Sequence, residues 1–340
     1  MPPLHITLVG LGSIGISFAA LYLAHSNAVI KVYDPRPDLG DHIQAFLPDC
    51  LRALSFSTSV DQLIAQGRLL ICASLSDACH EADIVQEQGP ENIEAKTATW
   101  LSVIQEVRHD TRLWTATSGI TASEQVKHLS DKHRLLVVHP FNPPHLMPLI
   151  ELVPSPQTAE EQVEFAKSFF ANLGSGHNSV VLRKELPGFV GNRLAFVLLR
   201  EAFHLVTEGV VDVADLDTIV ESSIGPRWAS MGPFKSYNLG GGPGGMPHFM
   251  TNLSGTMQSI WDDAGALSLR DTVFLSGADS KGSPTASSAA TTDWAEKIAQ
   301  ATLRKYGPPT PAMLAERDAD LQRILRARQH IDVNDCPKEC

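Results

Sequence analysis

Cysteine is scarce in this 340-residue chain. Cys50, Cys72, Cys79, Cys336 and Cys340 are too few and too scattered for a disulfide framework. Cys336 and Cys340 fall on a polar tail, where incidental thiols are the expectation. Basic residues are also short, with 27 Lys plus Arg against 38 Asp plus Glu and a formal net charge of −11. A general nucleic-acid binder carries a basic footprint, so that class of partner is excluded. A local Arg can still dominate an anion pocket whatever the total charge. No apolar run approaches the roughly 20 residues that span a bilayer. The opening MPPLHITLVGLG lacks a basic n-region, so no secretory or transit address is expected. A cytoplasmic, reducing compartment fits. The 13 histidines show no H-E-x-x-H or comparable spacing, so no metal is expected.

What is present is a globular composition, with 43% hydrophobic and 19% charged residues. The length suggests roughly two domains of about 150 residues. Short aliphatic or β-branched runs at 4–9, 29–34, 69–73, 83–87, 112–117 and 135–139 alternate with helical patterns, notably 13–24, 91–107 and 121–129. Alternation of this kind predicts an α/β fold, with parallel strands joined by right-handed helical crossovers. A further strand pair is expected at 149–153 and 178–182, joined by a helix over 159–172. Character changes at Pro187-Gly188, beyond which the spacing reads as helices at 189–208 and 213–223. A glycine-rich loop at 239–245 and a helix near 246–263 follow. The small, polar stretch 276–292 reads as a flexible insertion, and two last helices fit 293–306 and 310–328. The expected architecture is a Rossmann-type doubly wound sheet over 1–186, a mostly helical substrate and dimerisation domain over 187–330, and a polar tail over 331–340.

Gly10-Leu11-Gly12-Ser13-Ile14-Gly15 is a G-x-G-x-x-G placed between a strand and a helix. The first glycine permits the tight turn, the second lets backbone approach a pyrophosphate, and the third permits close helix–strand packing. The helix N-terminus supplies N–H donors to the anion. The spacing alone is weak, because glycines populate ordinary turns. Here the second strand ends on Asp34, where a carboxylate can accept from a ribose diol. Asp34 would repel a 2′-phosphate and so favours NAD, although Arg36 can pair with such a phosphate. FAD is the other reading of the fingerprint.

A lone histidine after a strand is ordinarily packed or solvated, so His139 counts only in company. It heads His139-Pro140-Phe141-Asn142-Pro143-Pro144, where the prolines impose a rigid extended turn. Glu151 lies in the next apolar run, where a carboxylate is costly unless paired. Ser118 follows the strand 112–117 at the carboxyl edge of the sheet, the edge where open α/β folds bind ligands. Asn192 is a polar residue in an otherwise apolar helix start. A His–Glu pair with Ser and Asn donors makes a general acid/base site for an alcohol or carbonyl. An ordinary capped and packed interior is the equal alternative.

GLGSIG, the segment Gln86-Glu87-Gln88-Gly89-Pro90-Glu91-Asn92, HPFNPPHLMPLIELVP and GFVGNRL together resemble the 3-hydroxyacyl-CoA dehydrogenase superfamily, from about residue 4 to 250. Within it the pattern is similar to the lambda-crystallin branch, whose enzymatic members are L-gulonate 3-dehydrogenases. The resemblance implies that His139 is the acid/base, Glu151 its orienting carboxylate, and Ser118 and Asn192 the holders of the substrate oxygen. It implies that Glu91 and Lys96 form a cofactor-side pair and that Asn142 stands beside the nicotinamide. It further implies oxidation of the 3-hydroxyl of a small 3-hydroxy acid, and a homodimer paired through the helical domain. Arg227, in Gly225-Pro226-Arg227-Trp228, either forks onto a free substrate carboxylate or ties helices together. The alternatives are a 3-hydroxyacyl-CoA dehydrogenase, a non-redox hydrolase cleaving a 1,3-dicarbonyl with the same dyad, and a non-catalytic crystallin-like protein.

Overall fold

The computed structural model describes residues 3–270, 272 and 293–334. The 276–292 stretch, Cys336 and Cys340 lie outside the described residues. Contacts divide the chain into two compact units, Met1–Arg193 and Leu194–Cys340.

The first unit alternates as expected. Its order is β1 (His5–Val9), α1 (Ser13–His25), β2 (Val29–Tyr33), α2 (Leu39–Ala53), α3 (Val60–Ala65), β3 (Leu69–Ile71), α4 (Leu75–Cys79), β4 (Ile84–Glu87) and α5 (Ile93–Glu106). Next come β5 (Arg112–Thr115), α6 (Ala122–Gln125), β6 (Leu135–Pro140), β7 (Leu149–Pro154), α7 (Glu160–Asn172) and β8 (Asn178–Val181). The eight strands form one sheet in the order β3-β2-β1-β4-β5-β6-β7-β8. Helices cover both faces, because the strands are buried on both sides and must be sheltered from water. One apolar cluster joins α1, α2 and α7 to the sheet around Phe18, Trp114 and Phe170. The other joins α4, α5 and α6 to the opposite face around Trp100 and Val103. α1 is buried continuously from Gly15 to Leu23, as a helix apolar on every side must be.

Local chemistry sets several helix starts. Asn92 caps α5 by accepting from the Ala95 N–H at 2.9 Å. Thr121 and Glu124 form a capping box that opens α6. The helix expected over 121–129 is only Ala122–Gln125. Val126 and Leu129 are buried, so their helical spacing serves the packing of an irregular turn.

One strand pairing departs from the parallel expectation. β6 and β7 are antiparallel, and β7 pairs with β8 in parallel. The 141–148 connection is too short for a crossover, which takes about a dozen residues, so the chain must turn back on itself. The resulting register sets His139 directly opposite Glu151.

Past Gly188 the chain is helical: α8 (Gly191–Thr207), α9 (Val213–Ser222), α10 (Ile224–Ser230), α11 (Pro233–Gly240) and α12 (Gly245–Asp263), then Asp293–Tyr306 and Pro311–Asn334. The glycine-rich segment expected as a loop is instead a tight junction. One 3-10 turn at Gly242–Gly244 joins α11 to α12, and a Cβ on Gly241 would lie 1.8 Å from the Gly245 carbonyl oxygen. The last helix runs to Asn334, past the expected end at 328. Within this unit, Ala295 is the only apolar side chain buried among the described residues. Phe234, Leu194, Trp261 and Phe196 are each more than half exposed. No helix among the described residues is long and apolar enough to cross a membrane.

Candidate active site

The three fingerprint glycines have different reasons to be glycine. Gly10 has φ +94°, a left-handed conformation that L side chains rarely adopt. Gly15 would place a Cβ 2.2 Å from the Gly10 carbonyl oxygen, so the helix packs onto the turn only without one. Gly12 has nothing within 4 Å of its would-be Cβ. It caps α1 without a side-chain bond, so the chain's own packing does not require a glycine there. Open space over helix N–H groups suits an anion lying close to the backbone. Among these residues the donors and the open space fit the pyrophosphate of NAD.

Asp34 ends the second strand's run beside this turn. Its Oδ2 accepts from the Leu11 N–H at 2.7 Å, and its Oδ1 from the Arg36 N–H at 3.0 Å. The Arg36 Nε lies 3.3 Å from the same Oδ1, so the guanidinium is paired with Asp34 itself. Burial pushes the Asp34 carboxyl up, but the Leu11 and Arg36 N–H groups and the guanidinium outweigh it and hold it below its ordinary 3.8. An ionised Asp34 fixes the turn through these bonds.

His139 and Glu151 face each other across β6 and β7, with Nδ1 2.8 Å from Oε2 and both side chains buried. The other carboxylate oxygen accepts from the backbone N–H of Val190 at 3.1 Å and of Gly191 at 3.0 Å, where α8 begins. Burial raises the Glu151 carboxyl, but the His139 hydrogen bond and these two N–H groups prevail, and it lies below its ordinary 4.5. An ionised carboxylate can only accept, so Nδ1 carries a proton, and in the neutral form of the ring the lone pair is on Nε2. Phe141 and Phe189 flank the ring at 5.0 and 5.2 Å between centroids.

His139 lines a cavity of about 320 Å³ with Ile14, Gln88, Glu91, Ser118, Asn142 and Asn192 among its walls. The cavity therefore brings Ile14 of the glycine loop together with His139, Glu91, Ser118, Asn142 and Asn192, while Glu151 backs His139 and neither Asp34 nor Lys96 lines it. Asn192 donates through Nδ2 to the Ser118 carbonyl at 2.9 Å. Oε1 of Glu91 accepts from Thr117 Oγ1 at 2.6 Å and from the Ser118 and Gly119 N–H groups at 3.0 and 2.9 Å, pinning the turn after β5. Lys96 is 3.6 Å from Glu91 Oε2. Its nearer partner is Glu87, at 2.9 Å, with both of those side chains only 1% exposed. Glu87 is the buried anion that the sequence reading passed over; a charge closing the apolar run of β4 is the signal that marks it. Arg227 stands on α10, in the helical unit.

Two further features had no signal in the sequence. The Ser17 hydroxyl accepts from the His145 N–H and lies 2.8 Å from its Nδ1, a buried link between α1 and the 141–148 segment. Gly191 would place a Cβ 2.2 Å from the Phe141 ring, so that aromatic wall needs a glycine at the start of α8. Among the described residues no group of three or more His, Cys, Asp or Glu is placed to hold a metal ion.

Comparison with known proteins identifies the family of the chain. The family model of the 3-hydroxyacyl-CoA dehydrogenase NAD binding domain matches residues 5–185, and that of the C-terminal domain matches 188–266. An L-carnitine dehydrogenase of Pseudomonas aeruginosa is 36% identical over 253 residues, covering 74% of this chain and 78% of the relative. A 3-hydroxyacyl-CoA dehydrogenase of Gibberella moniliformis is 34% identical over 261 residues, covering 76% and 79%. The crystal structure of 5-formyl-3-hydroxy-2-methylpyridine 4-carboxylic acid 5-dehydrogenase, an NAD+-dependent dismutase, superposes with a TM-score of 0.76 at 27% identity. It covers 96% of this chain and 99% of that one.

The differing roles of the glycines are separable. Gly12→Ala should change stability by less than about 1 kcal/mol yet weaken NADH binding by about tenfold or more, some 1.4 kcal/mol. Gly15→Ala should destabilise the fold itself; urea unfolding and NADH fluorescence titration measure the two effects. Glu151 gives a pH signature. A carboxyl with a folded pKa below its unfolded one adds stability above the unfolded value, lost as pH falls through the folded value. Glu151→Gln should therefore be less stable than wild type at neutral pH, and the gap should narrow below pH 4.5.

Proposed function

This chain belongs to the 3-hydroxyacyl-CoA dehydrogenase family, and on that premise we propose that it oxidises the 3-hydroxyl of a small free 3-hydroxy acid. At the level of the family it is an NAD-dependent oxidoreductase acting on CH–OH. The observation that carries the finer reading is the buried His139–Glu151 pair opening on a cavity beside the glycine loop. NAD, when bound, supplies the hydride acceptor. His139 takes the hydroxyl proton on Nε2, and Glu151 keeps the ring in that tautomer and stabilises the imidazolium that forms. Ser118 and Asn192 hold the substrate oxygen, and in the reverse reduction they stabilise its developing negative charge. Glu91 lines the cofactor side of the cavity with Lys96 buried behind it at 3.6 Å, and Asn142 would stand beside the nicotinamide. Ser13 and Ile14 carry the first turn of α1 toward the pyrophosphate.

The free-acid reading draws its support from the relatives named L-carnitine dehydrogenase, since carnitine is a 3-hydroxy acid. L-Gulonate belongs to the same chemical class. Arg227 is assigned to the free carboxylate because a guanidinium fork matches carboxylate geometry. The exposed apolar side chains of α8, α11 and α12 are assigned to a homodimer interface, because monomers rarely expose large contiguous apolar patches.

Absorbance of reduced nicotinamide should rise when the protein meets NAD and either L-carnitine or L-gulonate, and not with a 3-hydroxyacyl-CoA. His139→Gln should lower kcat by roughly 10²–10⁴-fold without loss of NADH binding. Turnover confined to the thioester would replace the free-acid reading with the fatty-acyl one. Light scattering should give twice the chain mass, and Phe234→Glu should shift it toward the monomer; a monomeric wild type would remove the dimer.

A further inference from the structure

One wall of the cavity has no part in the chemistry above. Gln88 follows β4 directly, and its backbone is fixed, with its N–H donating to the Val9 carbonyl at 2.9 Å. A Cβ on Gly10 would meet the Gln88 carbonyl carbon and oxygen at 3.0 Å, and one on Gly15 would meet its Cγ at 3.3 Å. The residue is thus wedged against the first and third glycines of the loop while also lining the cavity. Its carboxamide is anomalous. Both Oε1 and Nε2 are buried without a hydrogen-bond partner, and among the described residues no other side chain has two such atoms.

Around it the charged groups are well provided. Glu87 holds Lys96, the Gly89 N–H and Thr115. Glu91 holds Thr117 and the two N–H groups of the next turn. A buried amide lacking partners at both ends is costly, and native proteins keep few. An apolar side chain of the same length would avoid that cost. The position makes sense if the partner arrives with a ligand.

We propose that Gln88 is a cofactor-contacting residue. Rotation about its outer side-chain bonds moves only the amide, carrying it from its occluded place into the cavity. There it pairs with the nicotinamide–ribose part of NAD, accepting from a hydroxyl and donating to an oxygen. The dinucleotide is the occupant because Gln88 abuts the loop that receives it. A carboxamide, donor at one end and acceptor at the other, matches a ribose diol or another carboxamide. The inference rests on the NAD site and not on which hydroxy acid is oxidised.

The test is Gln88→Leu, of similar length but with no polar atoms. Thermal unfolding of the ligand-free protein should show an unchanged or higher Tm, because the orphaned amide is gone. Titration of NADH by its fluorescence should show an affinity about tenfold weaker, equivalent to 1.4 kcal/mol. Gln88→Ala, which cannot overpack the site, should lose the same affinity. Unaltered NADH affinity in both variants would overturn the proposal. So would a fall in ligand-free stability with affinity intact, which would mark Gln88 as structural. A wild-type protein that fails to bind NADH would overturn the dinucleotide assignment itself and this proposal with it.

Discussion

The carboxylate of Glu151 is the point on which the site depends. One oxygen meets Nδ1 of His139, and the other meets two backbone N–H groups where α8 begins. Its position follows from the antiparallel register of β6 and β7, which puts residues 139 and 151 opposite each other. That register follows in turn from a connection too short to cross over. A buried carboxylate survives unprotonated here because three donors replace the water it gave up. Its charge decides which ring nitrogen of His139 carries hydrogen, and so which nitrogen is left to act on a substrate. Backbone topology thus reaches the protonation state of a single atom without any intermediate device.

The surroundings of that carboxylate are shaped by absence as much as by presence. Gly191 leaves room for Phe141, and Phe189, at φ +51°, turns the chain so that its ring packs on His139. A bulky residue in the left-handed region is unfavourable, and such conformations persist where surrounding contacts over-determine them. Here the contacts are aromatic ones to the imidazole and the backbone bonds to Glu151. The dry wall thus formed keeps the His–Glu attraction from being screened by water.

Much of this was legible in the sequence. The alternation of β-branched runs with helical spacing, and the glycine fingerprint closing on Asp34, are local patterns that backbone geometry imposes directly. The block from His139 to Glu151 was legible for the same reason, since prolines and a carboxylate in an apolar run advertise a constrained turn and a buried partner. What escaped were relations that depend on three dimensions. The sheet reversal at β7 is set by loop length and not by strand composition. α10 and α11 are short, and their spacing gives no strong period. Ser17 sits in a run of apolar helix residues and reads as filler until His145 is brought to it. Glu87 was quoted only within a motif, although its burial makes it the principal partner of Lys96.

That last pair has a bearing on the descent of the chain. Glu87 and Lys96 lie on consecutive elements, β4 and α5, and are sealed from solvent together. Removing either partner leaves the other buried with weaker compensation, Lys96 with Glu91 at 3.6 Å or Glu87 with Thr115 and the Gly89 N–H, which is worse than having neither. A lineage leaving this arrangement one mutation at a time passes through a less stable intermediate, whichever residue changes first. The two positions are therefore expected to be inherited as one character, preserved by the depth of the valley between alternatives even where catalysis places no demand on them.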